Sequence, residues 1–203
     1  MQQLIEARLA GFQAAEDPLV RTLADVEGAV PQALLERLAG CQPAAVLLGL
    51  IERDTGLNVL FTQRAAHVSA HAGQVSFPGG RLEASDAGPV EAALREATEE
   101  IGLQPAFVRV VGRLSSFQTV TGFLITPVVG FIDAGFEARP DATEVDAVFE
   151  VPLSFLLDPK NVSVGHRERM GVRFRIYEFH YEGHHIWGAT ASILMNFKDI
   201  IFK

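Results

Sequence analysis

The chain has 203 residues, 48% of them hydrophobic, with glycine and proline scattered and no low-complexity tract, which is enough for one globular domain with a sizeable core. A formal net charge of −8 argues against nonspecific nucleic-acid binding, because a phosphate backbone calls for a basic surface. One cysteine, Cys41, allows no internal disulfide; the acid-containing N-terminus is unlike a signal peptide, and the longest apolar run, residues 44–51, is too short to span a bilayer, so a cytoplasmic protein without membrane attachment is expected.

Along the chain, Leu4, Ile5, Leu9 and Phe12 recur at helical spacing, and residues 31–38 repeat the signal with Pro31 near a first turn and Gly40 as a stop. Acidic, irregular chain lies between them. Residues 1–43 therefore read as a helical segment that packs on a domain formed by residues 44–203. Residues 44–51 and 57–62 read as two buried strands around an Asp-Thr-Gly turn. Residues 74–77 make a short strand that runs through Pro78 into the Gly79-Gly80 turn. Residues 107–114 and 123–132 follow as strands, the second with Pro127 requiring an edge or a bulge. Residues 144–149 alternate weakly and lead into a short helix ending near Leu157. His166, Arg167 and Arg169 form a basic patch beside Gly165 that either meets a phosphate or solvates a loop, the solvated loop being the expected case. Residues 172–181 alternate clearly, Gly183 marks a turn before residues 185–187, and residues 189–202 form a helix with Ile193, Leu194, Phe197 and Ile201 on one side. Strands flanking a mid-chain helix predict a mixed sheet sandwiched between helices, an α/β/α arrangement. The apolar terminal helices also admit a homodimer.

Residues 79–103, GGRLEASDAGPVEAALREATEEIGL, read as a glycine turn, an acidic loop and an amphipathic helix. Residues three and four apart share a helical face, so Glu96, Glu99 and Glu100 are expected to point at one volume of space. Like charges so placed repel unless cations collect there or one carboxylate keeps its proton. Hard divalent cations, Mg²⁺ or Mn²⁺, suit clustered oxygen ligands. Arg95 beside them is a permanent fork of donors that can fix a carboxylate's rotamer. A charge run more often means a solvated face, and the segment around it decides the matter here.

The fragment REATEEIGL after a Gly-Gly turn resembles the Nudix box. Asp86 stands where the box has its first Glu, and the loop before Arg95 is one residue longer than the pattern. The preceding stretch, LFTQRAAHVSAHAGQVSFPGG, resembles the signature of the coenzyme A pyrophosphatase branch of the Nudix hydrolases. Leu60, Thr62, Arg64, His71, Gly73, Val75, Phe77, Pro78, Gly79 and Gly80 match it, while Ala65 replaces Ser and Ser69 replaces Arg. Later stretches, TGFLITPVVGFI, EVDAVFEVPLSFLL and HHIWGATASIL, extend the likeness over most of residues 46–194.

The resemblance implies the Nudix fold and attack by water on a pyrophosphate bond with Mg²⁺ or Mn²⁺ bound. Glu96, Glu99 and Glu100 are the expected metal ligands and Arg95 the orienting residue; Glu99 or Glu144 is the expected general base. Arg64, His71, Gly79 and Gly80 are the expected substrate contacts, and Trp187 reads as core. The small-molecule substrate expected is coenzyme A or acyl-CoA, cut to 3′,5′-ADP and a 4′-phosphopantetheine product. NADH, ADP-ribose or another nucleoside diphosphate derivative is the alternative, and a non-catalytic nucleotide-binding module the reading from another class.

Overall fold

The computed structural model describes residues 1–13, 17–68 and 71–202. Its elements in chain order begin with α1 (Gln2–Ala10), α2 (Pro18–Leu23), β1 (Val26–Glu27), α3 (Gln32–Ala39), β2 (Gln42–Arg53), β3 (Gly56–Arg64), β4 (Val75–Ser76), β5 (Gly79–Arg81) and α4 (Pro89–Ile101). They continue with β6 (Val108–Arg113), β7 (Phe117–Gln118), β8 (Phe123–Ile132), β9 (Val145–Pro152), α5 (Leu153–Leu157), β10 (Val162–Arg169), β11 (Val172–Tyr181), β12 (His184–Trp187) and α6 (Gly188–Phe202).

β2 is the centre of a mixed eight-stranded sheet. Its first half pairs antiparallel with β5, Ala45 opposite Gly80, and its second half with β3, Leu50 opposite Val59. Its other edge runs parallel to β8 from Gln42 opposite Phe123 to Ile51 opposite Ile132. β9 flanks β3, while β6 and β7 share the far side of β8. The run AAVLLGLI is apolar at nearly every position because both faces of β2 are covered. Ala45, Leu47 and Ile51 pack toward α4 through Ala92, Ala93, Ala97 and Ile101. Leu48 and Leu50 belong to the opposite core, with Ile5 and Leu9 of α1 and Phe197 of α6. The helix-flanked mixed sheet expected from the order of elements is the one observed.

A second, four-stranded antiparallel sheet accompanies it, with β11 in the middle, β10 on one edge and β1 and β12 on the other. Phe179 and Ile186 of this sheet join the α6 core, and Val172, Phe174 and Ile176 on the alternate face pack with Leu34 and Leu38 of α3. Here the sequence expectations need correction. Residues 162–169 form a strand and not a solvated loop; the hairpin to β11 turns at Met170 and Gly171, both with positive φ (53° and 71°), a geometry Asn-Gly would have advertised and Met-Gly does not. The supposedly irregular chain between the first two helical signals contains α2 and β1. Pro127 lies in the second row of the sheet interior, where its missing N–H falls at the break between β6 and β7 and its carbonyl accepts from Leu114 N–H at 2.9 Å. Ile5 and Leu9 of α1 and Ile193, Leu194, Phe197 and Ile201 of α6 pack into one core within the chain. Among the described residues no helix is long and apolar enough to cross a membrane.

The turn that joins the sheet to α4 has no room for a side chain at its first glycine. A Cβ on Gly79 would lie 2.3 Å from the Ala45 carbonyl oxygen and 2.6 Å from the Val46 Cα, both backbone atoms of the central strand. Gly79→Ala is therefore expected to lose about 2–3 kcal/mol of stability. Urea unfolding followed by circular dichroism measures it, and a midpoint equal to wild type would show that β5 can move off β2 at no cost.

Candidate active site

The α4 helix starts from Gly88 with Pro89 in its first turn and stops at Gly102, whose φ of 71° is the left-handed conformation that closes a helix. Leu103 N–H then donates to the Ala97 carbonyl at 3.1 Å. The buried side of the helix is Ala92, Ala93, Ala97 and Ile101, small enough for the axis to lie close over β2 and β5. That closeness brings the next two glutamates onto the glycine turn. A Cβ on Gly80 would sit 2.3 Å from Glu96 Oε1, so only glycine leaves the carboxylate its place.

Glu100 lies on the buried face of the helix and is 3% exposed. Its carboxylate accepts from Gly79 N–H at 3.2 Å and stands 3.6 Å from Arg64 Nη1. Burial pushes its pKa up to about 8; the Gly79 N–H and Arg64 act against this, and the charges of Glu96 and Glu144 act with it. Glu96 is raised too, chiefly by burial, with Arg95 opposing and Glu99 and Glu144 adding to the rise.

Arg95 ties the acidic loop to the helix. Its Nε and Nη2 donate to the two oxygens of Asp86 at 3.1 and 3.2 Å, its Nη1 to Glu96 and Glu99 at 3.1 Å each, and its Nη2 also to the Arg81 carbonyl at 3.0 Å. The fork holds Asp86 below the usual carboxylate range, helped by the Glu83 N–H at 2.8 Å. Asp86 is not among the expected site residues, although it stands where the box has its first Glu; the longer loop before Arg95 leaves its role open.

Arg95 holds Glu99 on the exposed side of the helix, and Glu96, Glu99 and Glu100 do not bring one oxygen each within 4.8 Å of one another. Among the described residues that closeness is met by Glu178, His180 and His185 on β11 and β12. Glu96 and Glu100 face the Gly79-Gly80 turn, and both feel the charge of Glu144, which precedes β9 and whose carbonyl accepts from Ala65 N–H at 2.8 Å; Glu99 acts on Glu96 as well. These carboxylates offer oxygen ligands to a hard cation, and Arg95 engages both Glu96 and Glu99.

A cavity of about 530 Å³ opens beside the turn, and Arg64, His71, Gly79 and Gly80 all line it. His71 has a φ of 59° and pairs its Nδ1 with Gln74 Oε1 at 2.8 Å. The glutamates meet this cavity through Gly79, Gly80 and Arg64 and do not line it themselves. Ala65, at the position where the coenzyme A signature has Ser, is fully buried, and Ser69 lies outside the described residues. Trp187, expected in the core, is half-buried and lines the cavity with Arg81, Arg167 and Arg169.

Compared with known proteins, the family described as NUDIX domain matches residues 41–168. The chain belongs to the Nudix hydrolases. Proteins of Salmonella paratyphi B, Salmonella newport and Salmonella heidelberg named "Uncharacterized Nudix hydrolase NudL" are each 44% identical over 151 residues, 74% of this chain and 78% of theirs. A solved Nudix hydrolase from M. smegmatis, RenU, overlays with a TM-score of 0.48 at 24% identity, covering 56% of this chain and 71% of that one. In this Nudix hydrolase the family match contains the glycine turn, α4 and Glu144, while β11, β12 and α6 follow it in sequence.

Glu100 ionises near 8 in the folded chain against an ordinary value of 4.5, so between these values the folded state holds a proton that the unfolded state has released. Metal-free stability must then fall as pH rises through that window. Glu100→Gln is expected to melt about 2–4 °C above wild type at pH 9, a gap that narrows toward pH 5, where the wild-type carboxyl is itself neutral. Scanning calorimetry in chelator checks this, and a variant that melts lower at pH 9 would show that the buried charge is compensated within the chain.

Proposed function

We propose that this Nudix hydrolase is a Mg²⁺- or Mn²⁺-dependent pyrophosphohydrolase that splits coenzyme A or acyl-CoA into 3′,5′-ADP and 4′-phosphopantetheine or its acyl derivative. The observation that carries the reading is the meeting of two signatures at one turn. Arg64, His71, Gly79 and Gly80 belong to the stretch resembling the coenzyme A branch and line one cavity; Glu96 and Glu100 belong to the box and sit against the two glycines.

The donor set fits a hard divalent cation. Glu100 is buried next to two other carboxylates with a raised pKa, and Gly80 leaves the space beside Glu96 that any Cβ would fill. Glu96 and Glu100 would hold the cation, with Glu99 ordering its surroundings from the far side of Arg95. Such an ion supplies positive charge to the diphosphate oxygens as the anhydride bond opens. Arg64 adds a fixed cation on the cavity side, and the Gly79-Gly80 backbone sets the close approach of the substrate. Arg95 orients: its five donors pin Glu96, Glu99 and the Asp86 loop and touch no substrate. Glu144, exposed and near enough for its charge to act on both Glu96 and Glu100, is placed to take the proton from water as the water oxygen bonds to phosphorus; Glu99 is the other candidate.

A second reading keeps this chemistry and changes the substrate to NADH, ADP-ribose or another nucleoside diphosphate derivative. It is favoured by Ala65 and Ser69, which replace a hydroxyl and a cation of the coenzyme A signature.

Rates on CoA, NADH and ADP-ribose, with and without Mg²⁺ or Mn²⁺ and with products identified by mass, test both readings. CoA is expected to be the best substrate, to give 3′,5′-ADP, and to lose all turnover in chelator. Glu144→Gln is expected to lower kcat by about 10²–10⁴. Faster turnover of ADP-ribose would move the assignment to the second reading; turnover indifferent to chelator would end both, and an undiminished Glu144→Gln enzyme would pass the base to Glu99.

A further inference from the structure

Five arginines and one aspartate line the cavity, Arg64, Arg81, Arg167, Arg169 and Arg175 against Asp25, in a chain whose net charge is −8. Two of the five are answered by acids: Arg175 bonds Asp25 at 2.9 and 3.2 Å, and Arg64 stands 3.6 Å from Glu100. Arg81 lies over the Phe123 ring, 5.5 Å from its centroid, at the turn where the diphosphate is served. The remaining two come from elsewhere in the fold. Arg169 makes no ion pair among the described residues, and Arg167 reaches only Glu178, at 3.8 Å.

Arg167 and Arg169 are separated by one residue on β10, so their side chains leave the same face of the second sheet. The Arg167 guanidinium lies over the indole of Trp187, 5.8 Å from its centroid. A flat, half-buried aromatic beside two incompletely neutralised guanidinium groups is suited to a nucleoside carrying its own phosphate. The ring covers an apolar face, and the planar forks match phosphate oxygens. A phosphomonoester brings about 1.5–2 negative charges at neutral pH, which a cavity poor in acids can accept. Concentrating cations at the wall away from the glutamates has no use for a substrate whose only anionic group is the diphosphate.

We propose that Arg167 and Arg169, with Trp187 as their apolar floor, form a subsite for a phosphomonoester on the ribose of the substrate, separate from the turn where the diphosphate is cut. The placement relative to cleavage rests on the diphosphate-cleaving reading above; the binding subsite stands on the cavity alone. Two nucleotide classes carry the required chemistry, a 3′-phosphate as in coenzyme A and a 2′-phosphate as in NADPH.

Calorimetric binding of adenosine 3′,5′-bisphosphate and of adenosine 2′,5′-bisphosphate, each against AMP, tests the subsite without turnover, and KM for CoA against 3′-dephospho-CoA and for NADPH against NADH tests it during turnover. Wild type is expected to bind one of the two bisphosphates at least about tenfold more tightly than AMP, a contribution in the range of charge-assisted contacts to phosphate. The same ratio is expected in KM for one of the two nucleotide pairs, which names the phosphate position. The double variant Arg167→Ala/Arg169→Ala should bring both ratios to about one, and Arg167→Lys/Arg169→Lys, which keeps the charge at two exposed positions, should restore part of them. Wild-type binding ratios near one for both bisphosphates, or a ratio that survives the double alanine variant, overturn the subsite even if CoA is hydrolysed. Tenfold selective binding without hydrolysis of any of the four nucleotides in Mn²⁺ overturns the substrate reading and leaves the subsite standing.

Discussion

Glu100 is 3% exposed and feels the charges of Glu96 and Glu144, with one backbone N–H at 3.2 Å and one guanidinium at 3.6 Å to offset them. Such an arrangement is unfavourable for an ionised carboxylate and would be replaced by an apolar residue if stability alone decided it. Much of the surrounding sequence follows from tolerating it. The alanines of α4 let the helix approach β2 and β5, and the approach is what carries Glu96 and Glu100 to the turn. Gly79 cannot carry a side chain because the backbone of the central strand occupies that position, and a side chain at Gly80 would displace the Glu96 carboxylate. Arg95 and Asp86 fix the loop on the outer side, so the charge that remains faces inward, where a cation can be of use.

The molecule divides the work between its two sheets. The mixed sheet and α4 provide the acidic site, which in a Nudix hydrolase is the chemical part. The second sheet contributes Arg167, Arg169 and Trp187 to the same cavity, with opposite charge and an aromatic surface. The glutamates lie behind the cavity and the arginines line it, and Arg64, 3.6 Å from Glu100 and itself a lining residue, joins the two groups.

Features that depend on local pattern were legible in the sequence. The β2–β3 hairpin, α4, β8, β11 and α6 all announce themselves by apolar runs, alternation or helical spacing, and the glycine turn before α4 is visible as two adjacent glycines. What the sequence hid is where tertiary contact decides. Helical spacing puts Glu96, Glu99 and Glu100 together; it does not show that Arg95 holds Glu99 on the exposed side or that the charge of Glu144, forty-four residues later than Glu100, reaches both Glu96 and Glu100. Asp86 joined the site through a bidentate bond across a loop of no fixed period. β10 is polar on the face that meets the cavity and turns through Met170, so neither alternation nor turn chemistry marked it, and its arginines were read as solvated. Trp187 packs against the Leu34 and Leu38 core as expected, and what the sequence did not show is that its half-buried ring also lines the cavity.

The claim at the centre is that the carboxylates over the glycine turn, and not the histidines of the second sheet, are the cation site. A titration of metal-free protein with Mn²⁺, reading free ion by electron paramagnetic resonance, addresses it in wild type, Glu96→Gln, Glu100→Gln and His180→Ala/His185→Ala. The account predicts saturable binding that weakens at least about tenfold in each glutamine variant and is unchanged in the double histidine variant, as expected when one of a few oxygen ligands loses its charge. Binding that survives both glutamine substitutions and disappears with His180 and His185 would place the metal on β11 and β12 and contradict the account.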